Sequence, residues 1–332
     1  MASDDDLNRV ECWCFDASIP ASAIGRIPLP LRGRACICRR CAEAADRPLA
    51  QGVAQTKDPG GRPAIELTSG GARALISTVG AQVLSWDPGS GDVLWTASQA
   101  QHEPRAPVRG GIPVVFPWFG DHPRGPSMPA HGFARSCDWH LVATDVAAVT
   151  LALRDDDATR AIWPHEFSLE LEIALSDALR ITMRVHNPTN EPFTLEQALH
   201  TYFAVGDVRE ASVHGFEGVP FTEHAAAPEA EWDTSAPLRF RAETDRVFQG
   251  APEQVSICAP ALSREVSLKS RQARSAIVWN PWPAKTARLA QMAPEDWQTF
   301  CCVETANCKE NAVTLAPRAR HEMTLTIRSA QR

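Results

Sequence analysis

The sequence predicts an all-β protein, a large antiparallel β-sandwich or barrel preceded by a small cysteine-rich segment. Short runs of alternating apolar and polar residues follow one another from about residue 63 to the end of the chain. No long segment has the 3.6-residue period of an amphipathic helix. The 26 prolines among 332 residues also favour short strands joined by turns. Many strands at regular spacing are typical of antiparallel sandwiches and barrels.

The clearest strand pair lies at residues 167–185. Apolar residues occupy every odd position from Phe167 to Leu175, and the same alternation resumes from Leu179 to Val185 after a short turn at 176–178. This pattern predicts a hairpin with one face on a core. Similar runs occur at 73–86, 149–153, 193–200, 276–279, 299–304 and 313–327.

Composition excludes several classes of protein. Apolar residues make up 44% and charged residues 22%, which is typical of a globular chain rather than a disordered one. The net charge of −7 argues against a partner such as nucleic acid or an anionic membrane. The acidic start resembles neither a secretory nor a transit leader, and no run of about 18 apolar residues occurs. We therefore expect a cytoplasmic protein in a reducing compartment.

The chain is predicted to have three parts: a cysteine-rich module over 1–45, a linker over 46–62 and a β domain over 63–332. The linker is polar and contains Pro and Gly. Half of the ten cysteines lie in the module, at Cys12, Cys14, Cys36, Cys38 and Cys41.

Those five thiols form a candidate Zn²⁺ site, because Zn²⁺ takes four thiolate or imidazole ligands. The C-x-C spacing is tighter than the usual C-x₂-C, so a cluster of reduced, metal-free thiols is the alternative. Disulfides are disfavoured in a reducing compartment. A metal- or redox-regulated partner protein is one functional hypothesis for the whole chain.

Several common catalytic signatures are missing. The sequence contains neither G-x-G-x-x-G after a strand nor G-x-x-x-x-G-K-[ST], so nucleotide binding has no support. It also lacks H-E-x-x-H and G-x-S-x-G, the motifs of zinc metalloproteases and α/β-hydrolases.

Two adjacent loop segments, 109–120 and 129–135, combine glycines with Arg109, His131 and Arg135. Glycine lets the backbone approach a ligand closely, and guanidinium groups bind anions. These segments therefore predict an anion-binding site. A Pro- and Gly-rich loop with solvated arginines is the alternative interpretation.

Two strand segments carry titratable groups that a plain sandwich core does not need. Strand alternation places His200 on the same face as Glu196 and Ala198. Glu304 lies in the apolar strand 299–304, where a buried carboxylate is costly unless it is bonded or functional. The alternatives are a structural histidine and a glutamate that points to water at a strand end.

Six segments of the chain resemble, in the same order, segments of the hexose-6-phosphate mutarotases. That family, also called glucose-6-phosphate 1-epimerases, belongs to the galactose-mutarotase-like superfamily, and the resemblance covers about residues 63–328. It implies a large antiparallel β-sandwich with the active site on a concave sheet face. The matching segments are RGGIPVVFPWFG (109–120), PAHGFARSCDW (129–139), ALHTYFAVGD (198–207), TDRVF (244–248), VWNPWPAK (278–285) and VETAN (303–307).

The resemblance implies a role for each matching residue. His200 would be the general acid and Glu304 the general base of mutarotation, which interconverts the α and β anomers of glucose 6-phosphate. Asp245 would bind sugar hydroxyls. The loop residues Arg109, His131 and Arg135 would bind substrate, with the two arginines on the phosphate. Some family members have Gln where this chain has Ala130, so any contact of that side chain is lost.

Such a reaction needs no cofactor, because one acid and one base suffice to open and close the sugar ring. Two further hypotheses remain: an aldose 1-epimerase of unphosphorylated sugars and a carbohydrate-binding sandwich without turnover. The two arginines favour a phosphorylated substrate over a neutral one, and the acid–base pair favours catalysis over binding. Residues 1–45 resemble a small cysteine-rich module named for its Cys-Trp-Cys motif, although the upstream Cys pair of that module is missing.

Overall fold

The computed structural model describes residues 48–122, 124–125, 127–227 and 233–332, together with Ile19 and Ala23. The chain divides into two compact units, Met1–Leu49 and Ala50–Arg332. The predicted cysteine-rich module lies outside the described residues, apart from Ile19 and Ala23. The second unit contains the predicted β domain and every strand of the described chain.

The larger of its two main sheets is antiparallel and has nine strands. They are β6 (His140–Asp145), β7 (Ala148–Arg154), β8 (Ser168–Leu175), β9 (Leu179–His186), β13 (Ser212–His214), β15 (Leu238–Arg239), β17 (Gln254–Ala259), β18 (Arg264–Arg271) and β22 (Arg320–Gln331). Their order in the sheet is β15-β13-β17-β18-β22-β9-β8-β7-β6. The predicted hairpin is confirmed, because β8 pairs with β9 around the tight turn and the odd-numbered residues of β8 are buried.

The other main sheet has seven strands. They are β5 (Val114–Val115), β11 (Gln197–Leu199), β12 (Tyr202–Ala204), β14 (Phe221–Glu223), β16 (Thr244–Phe248), β19 (Ser275–Asn280) and β20 (Phe300–Asn307). Six of them follow the order β14-β16-β19-β20-β11-β5, and β12 also pairs with β20. All eight residues of β20 are buried, because it is paired on both edges and covered on both faces.

Smaller elements complete the described chain. A four-stranded sheet contains β1 (Val53–Lys57), β2 (Pro63–Ser69), β3 (Ala72–Ser77) and β4 (Val83–Asp87), and a two-stranded sheet contains β10 (Phe193–Leu195) and β21 (Val313–Leu315). The short α-helices are Asp157–Ile162 and Trp282–Thr286, and 3-10 turns lie at Ala134–Ser136, Pro260–Leu262, Asp296–Thr299 and Lys309–Asn311. No helix in the described residues has the length and apolar character needed to cross a membrane.

One face of each main sheet packs into a common hydrophobic core. Ile173, Ile181 and Leu325 of the nine-stranded sheet belong to the same buried cluster as Val278 and Val303 of the seven-stranded sheet. This arrangement is an antiparallel β-sandwich, which confirms the predicted fold class. The four-stranded sheet adds Ile65, Leu67 and Ile76 to the same core.

The seven-stranded sheet also carries a second apolar cluster on its opposite face. We call it the outer cluster, and it includes Trp95, Ala198, Tyr202, Ile277, Trp279, Phe300 and Cys302. Because side chains alternate along a strand, every second residue of β11, β16, β19 and β20 faces this cluster instead of the core.

The prediction of a linker over residues 46–62 is wrong for part of that range. Residues Val53–Lys57 form β1, which pairs in antiparallel register with all of Pro63–Leu67. Four of the five β1 residues are exposed, so this edge strand lacks the apolar alternation that would reveal it in the sequence. The sandwich therefore begins before residue 63.

A chain that begins at Ala50 is expected to fold with a melting temperature within about 4 °C of the full-length chain, because it keeps β1 and the whole core. A chain that begins at Pro63 exposes the edge of β2 and should melt at a lower temperature. Thermal denaturation followed by circular dichroism of the three chains measures both effects. Equal melting of the two shortened chains would contradict a stabilising role for β1.

Candidate active site

Strand register brings the two principal predicted residues together. Leu199 of β11 pairs with Thr305 of β20, so the next residue, His200, lies opposite Glu304. The Nε2 atom of His200 is 3.4 Å from Oε1 of Glu304. His200 lies two residues from Ala198, and Glu304 lies two residues from Cys302. Side chains two residues apart on a strand share a face, so both His200 and Glu304 face the outer cluster. Glu304 is only 2% exposed and His200 9%.

A second row of side chains crosses the sheet beside this pair. Tyr202 pairs with Cys302, Cys302 with Trp279, and Trp279 with Asp245. Three strand spacings separate Tyr202 from Asp245, which is roughly 14 Å. Asp245 thus lies at one end of the site, with the indole of Trp279 between it and the His200–Glu304 pair.

The ring of Tyr202 stacks on His200. Their centroids are 4.9 Å apart and their planes differ by 11°. Arg109 Nη1 donates to the Tyr202 hydroxyl over 3.5 Å, which connects this predicted anion-binding residue to the floor of the site. Burial raises the pKa of Tyr202 to about 12, so its hydroxyl stays protonated near neutral pH. No sequence pattern assigned Tyr202 to the site.

His131 reaches the same site from the loop that follows β5. Its ring centroid is 5.7 Å from that of His200 and 4.9 Å from that of Phe119. The His131 amide donates to the carbonyl of Gly120 over 2.7 Å, and the Gly120 amide donates back to Nδ1 of His131 over 3.3 Å. These two hydrogen bonds fix the His131 ring. Because Nδ1 accepts one of them, the proton of the neutral imidazole lies on Nε2.

Gly110, Gly111 and Gly132 serve chain packing, which differs from the close ligand approach expected from the sequence. A Cβ on Gly132 would lie 1.9 Å from the carbonyl oxygen of Phe116, and one on Gly111 would lie 2.2 Å from that of Val83. Both residues also have positive φ. Glycine is required here so that the loops can lie against neighbouring backbone and present their side chains to the site.

Arg135 is held by the loop itself. Its Nη2 donates to the carbonyl of Ala130 over 2.6 Å. The position at which some family members have Gln therefore contributes a backbone oxygen, which any residue type provides. Arg135 is partly buried, and its charge acts on both Glu304 and His131.

The carboxylate of Glu196 joins two segments at the edge of the site. One oxygen accepts from the amide of Phe119 over 2.8 Å, and the other accepts from the amide of Lys309 over 2.6 Å. A carboxylate that bridges the amides of two segments far apart in sequence is a strong tertiary restraint. Strand alternation placed Glu196 on the His200 face but predicted neither contact.

Asp245 is held by a cation that no sequence motif identified. Lys285 Nζ lies 3.1 Å from Oδ2 of Asp245 and 3.1 Å from Oε1 of Glu243. The ammonium neutralises part of this negative charge and orients the Asp245 carboxylate. Lys285 belongs to the 278–285 segment, so its proximity to Asp245 depends on the pairing of β16 with β19.

The surroundings oppose charge on both members of the central pair. Burial, assisted by the positive charges of Arg135 and Arg109, lowers the pKa of His200 well below its usual value. Burial and the nearby Asp245 carboxylate raise the pKa of Glu304 well above its usual value. His200 Nδ1 and Glu304 Oε2 have no hydrogen-bond partner among the described residues. Unpaired buried polar atoms destabilise a fold, and they are typical of sites that bind a polar ligand.

The described residues contain no group of three or more His, Cys, Asp or Glu side chains that could hold a metal ion. The five cysteines proposed to bind Zn²⁺ lie outside the described residues. The other five, at 137, 258, 301, 302 and 308, are free thiols.

A large open trough of about 1170 Å³ lies elsewhere, on the outer face of the nine-stranded sheet. Its lining is ion-paired across strands: Arg184 lies 2.9 Å from Glu172 and 2.7 Å from Glu322. Such ladders are ordinary on the solvated face of an antiparallel sheet. The lining of this trough includes none of the site residues predicted from the sequence.

Comparison with known families gives two matches. The family model for aldose 1-epimerase matches residues 63–328, and the model for the cysteine-rich CWC module matches residues 2–43. A protein of Escherichia coli (strain K12), provisionally named glucose-6-phosphate 1-epimerase, is 32% identical over 265 residues, covering 78% of this chain and 88% of its own length. A protein of Cenchrus ciliaris with the same provisional name is also 32% identical, over 79% of this chain and 83% of its own.

Solved structures are similar over most of the chain. A provisionally named mutarotase from Salmonella typhimurium superposes with a TM-score of 0.76 at 27% identity, covering 86% of this chain and 97% of its own. A galactose mutarotase-like protein from Lactobacillus casei has a TM-score of 0.61 at 17% identity, over 84% of this chain and all of its own, which indicates a shared fold.

The partly buried His131 should make stability depend on pH. Burial and the charges of Arg135, Arg109 and Lys309 lower its pKa from 6.5 to about 3. Between pH 6.5 and about pH 3, His131 binds a proton in the unfolded chain but not in the folded chain. The contribution of His131 to stability is therefore present above pH 6.5 and lost as the pH falls toward 3.

In a His131→Gln variant, the slope of the unfolding free energy against pH should be smaller than in the wild type between about pH 6 and pH 4. The difference should be up to about 1.4 kcal/mol per pH unit. Urea denaturation at several pH values measures this slope. His140→Gln, at an exposed position, is the matched control and should keep the wild-type slope. An unchanged slope in His131→Gln would contradict the burial of a neutral imidazole.

Proposed function

The chain belongs to the aldose 1-epimerase family, and we propose that it is a hexose-6-phosphate mutarotase that interconverts the α and β anomers of glucose 6-phosphate. The observation that carries the proposal is the His200–Glu304 pair, 3.4 Å apart on the outer face of the seven-stranded sheet. Two acid–base groups on one site are what ring opening and closure of a hemiacetal require.

In the forward direction, Glu304 takes the proton of the C1 hydroxyl while His200 donates a proton to the ring oxygen. The C1–ring oxygen bond then breaks, and C1 becomes an aldehyde. Rotation about the C1–C2 bond presents the other face of the aldehyde. On closure, the C5 hydroxyl attacks C1 and returns its proton to His200, and Glu304 reprotonates the new C1 hydroxyl. Protons and electrons balance without an oxidant or a metal.

The pKa shifts of the pair increase the reactivity of its ionised form, while burial disfavours the formation of that form. A raised pKa makes the ionised Glu304 a stronger base, and a lowered pKa makes the protonated His200 a stronger acid. The reactive form carries one proton on His200 and none on Glu304. Adding or removing one proton abolishes it, so the rate should fall on both sides of an optimum.

The remaining site residues bind the substrate in this proposal. Asp245, oriented by Lys285, accepts hydrogen bonds from sugar hydroxyls, and Trp279 provides an apolar surface for the ring. Arg109, His131 and Arg135 lie toward the phosphate, and the two guanidinium groups supply the charge. Guanidinium suits phosphate because it donates two parallel hydrogen bonds.

Catalysis in this scheme uses no cofactor, since both proton transfers are made by side chains. We further propose a cytoplasmic location, which the five free thiols of the described residues support. The cysteine-rich module is proposed as a Zn²⁺ site through Cys12, Cys14, Cys36, Cys38 and Cys41. Metal analysis of a peptide spanning residues 1–50 tests it.

A second candidate is an aldose 1-epimerase that acts on unphosphorylated sugars, which the family name favours. The two arginines beside the histidines weigh against it, because a neutral sugar does not need them. A carbohydrate-binding sandwich without turnover is weaker still. Such a protein has no use for two buried ionisable groups whose pKa values are shifted in opposite directions.

Glu304→Gln and His200→Asn should each lower the rate of anomer exchange by roughly 10²-fold or more, the usual scale for removing a general acid or base. Magnetisation-exchange NMR on α- and β-glucose 6-phosphate, corrected for spontaneous anomerisation, measures the rate. Thermal stability should change little. A variant that retains near wild-type exchange would show that its residue has another role.

Arg109→Ala and Arg135→Ala should each reduce kcat/KM for glucose 6-phosphate by roughly 10- to 150-fold, the scale of one charge-assisted contact. Turnover of free glucose should change much less. The ratio of the two substrates is decisive, because a folding defect depresses both. Arg180→Ala, in the distant trough, controls for loss of charge. Equal losses on both substrates would favour the neutral-sugar epimerase.

A further inference from the structure

Lys309 lies at the edge of the site and has no assigned role. Its backbone is fixed in a positive-φ conformation at the start of a 3-10 turn, and its amide donates to Glu196. The other oxygen of Glu196 accepts from the amide of Phe119. One carboxylate therefore holds Lys309 and the His131 loop in a defined relation to each other.

The ammonium group of Lys309 turns toward that loop. Nζ lies over the ring of Phe119, 5.7 Å from its centroid, and 3.7 Å from the position that a Cβ on Gly120 would occupy. Gly120 is the residue that exchanges two hydrogen bonds with His131. The ammonium is thus near the histidine that adjoins His200.

The charge of Lys309 is available to a ligand. The side chain is exposed, and no carboxylate in the described part of the chain forms an ion pair with it. By contrast, Lys285 at the opposite end of the site is shared between two carboxylates. The charges of this ammonium and of the two arginines all act on His131, so positive charge collects at this end of the site.

We propose that Lys309 is a specificity-determining residue, a third cation that binds the 6-phosphate of the substrate at the mouth of the site. This inference rests on the proposed function. The Asp245–Glu243 end of the site repels a phosphate dianion, so the substrate enters with its phosphate toward Lys309 and its hydroxyls toward Asp245. The flexible lysine stem lets the ammonium leave the Phe119 ring and follow the phosphate.

The test compares Lys309→Met, Lys309→Arg and the control Lys269→Met on glucose 6-phosphate and on free glucose. Lys269 is an exposed lysine on β18, in the trough of the nine-stranded sheet. Lys309→Met should raise KM for glucose 6-phosphate roughly 5- to 20-fold, between the effect of an exposed ion pair and that of a buried charge-assisted bond. KM for free glucose, and kcat for both, should stay near wild type.

Lys309→Arg should restore most of the affinity for glucose 6-phosphate, and Lys269→Met should behave as wild type. An unchanged KM in Lys309→Met, in an enzyme that still prefers the phosphorylated sugar, would overturn the role of Lys309 alone. Equal losses on both sugars would also overturn it, since they indicate a structural defect. A wild-type enzyme without preference for the phosphorylated sugar would overturn the proposed substrate as well.

Discussion

The site depends above all on the register between β11 and β20. Three consecutive antiparallel pairs, from Gln197–Asn307 to Leu199–Thr305, place His200 opposite Glu304. Side chains alternate along a strand, so a slip of one residue would put Thr305 at this place and turn Glu304 toward the core. The central β20 is paired along both edges, which makes such a slip costly. The acid–base pair is thus a consequence of sheet pairing.

The outer cluster then sets the chemistry of that pair. On a solvated sheet face, both groups would titrate near their ordinary pKa values. Here Tyr202 stacks on the imidazole, and Trp279 and Phe300 cover the neighbouring positions. Loss of water disfavours the charged form of either group. The aromatic residues of β12, β19 and β20 therefore stabilise the fold and also strengthen the acid and the base.

Charged residues at its two ends give the site a polarity that the apolar outer cluster lacks. Asp245 and Glu243 place negative charge at one end of the site, where Lys285 partly balances it. Arg109, Arg135 and Lys309 lie on the side of His131. A substrate with one anionic end and several hydroxyls has a single favourable orientation in such a field. Glu196 maintains this geometry by binding two backbone amides rather than a cation.

Local periodicity in the sequence was sufficient to predict the β8–β9 hairpin, the sandwich class and the shared face of His200 and Ala198. It did not reveal β1, because an exposed edge strand shows no apolar alternation. It could not assign the roles of Tyr202, Lys285, Glu196 or the loop glycines either. Those roles arise from contacts between segments far apart in the chain, such as Glu196 with Lys309, and only strand pairing and loop packing decide which distant residues meet.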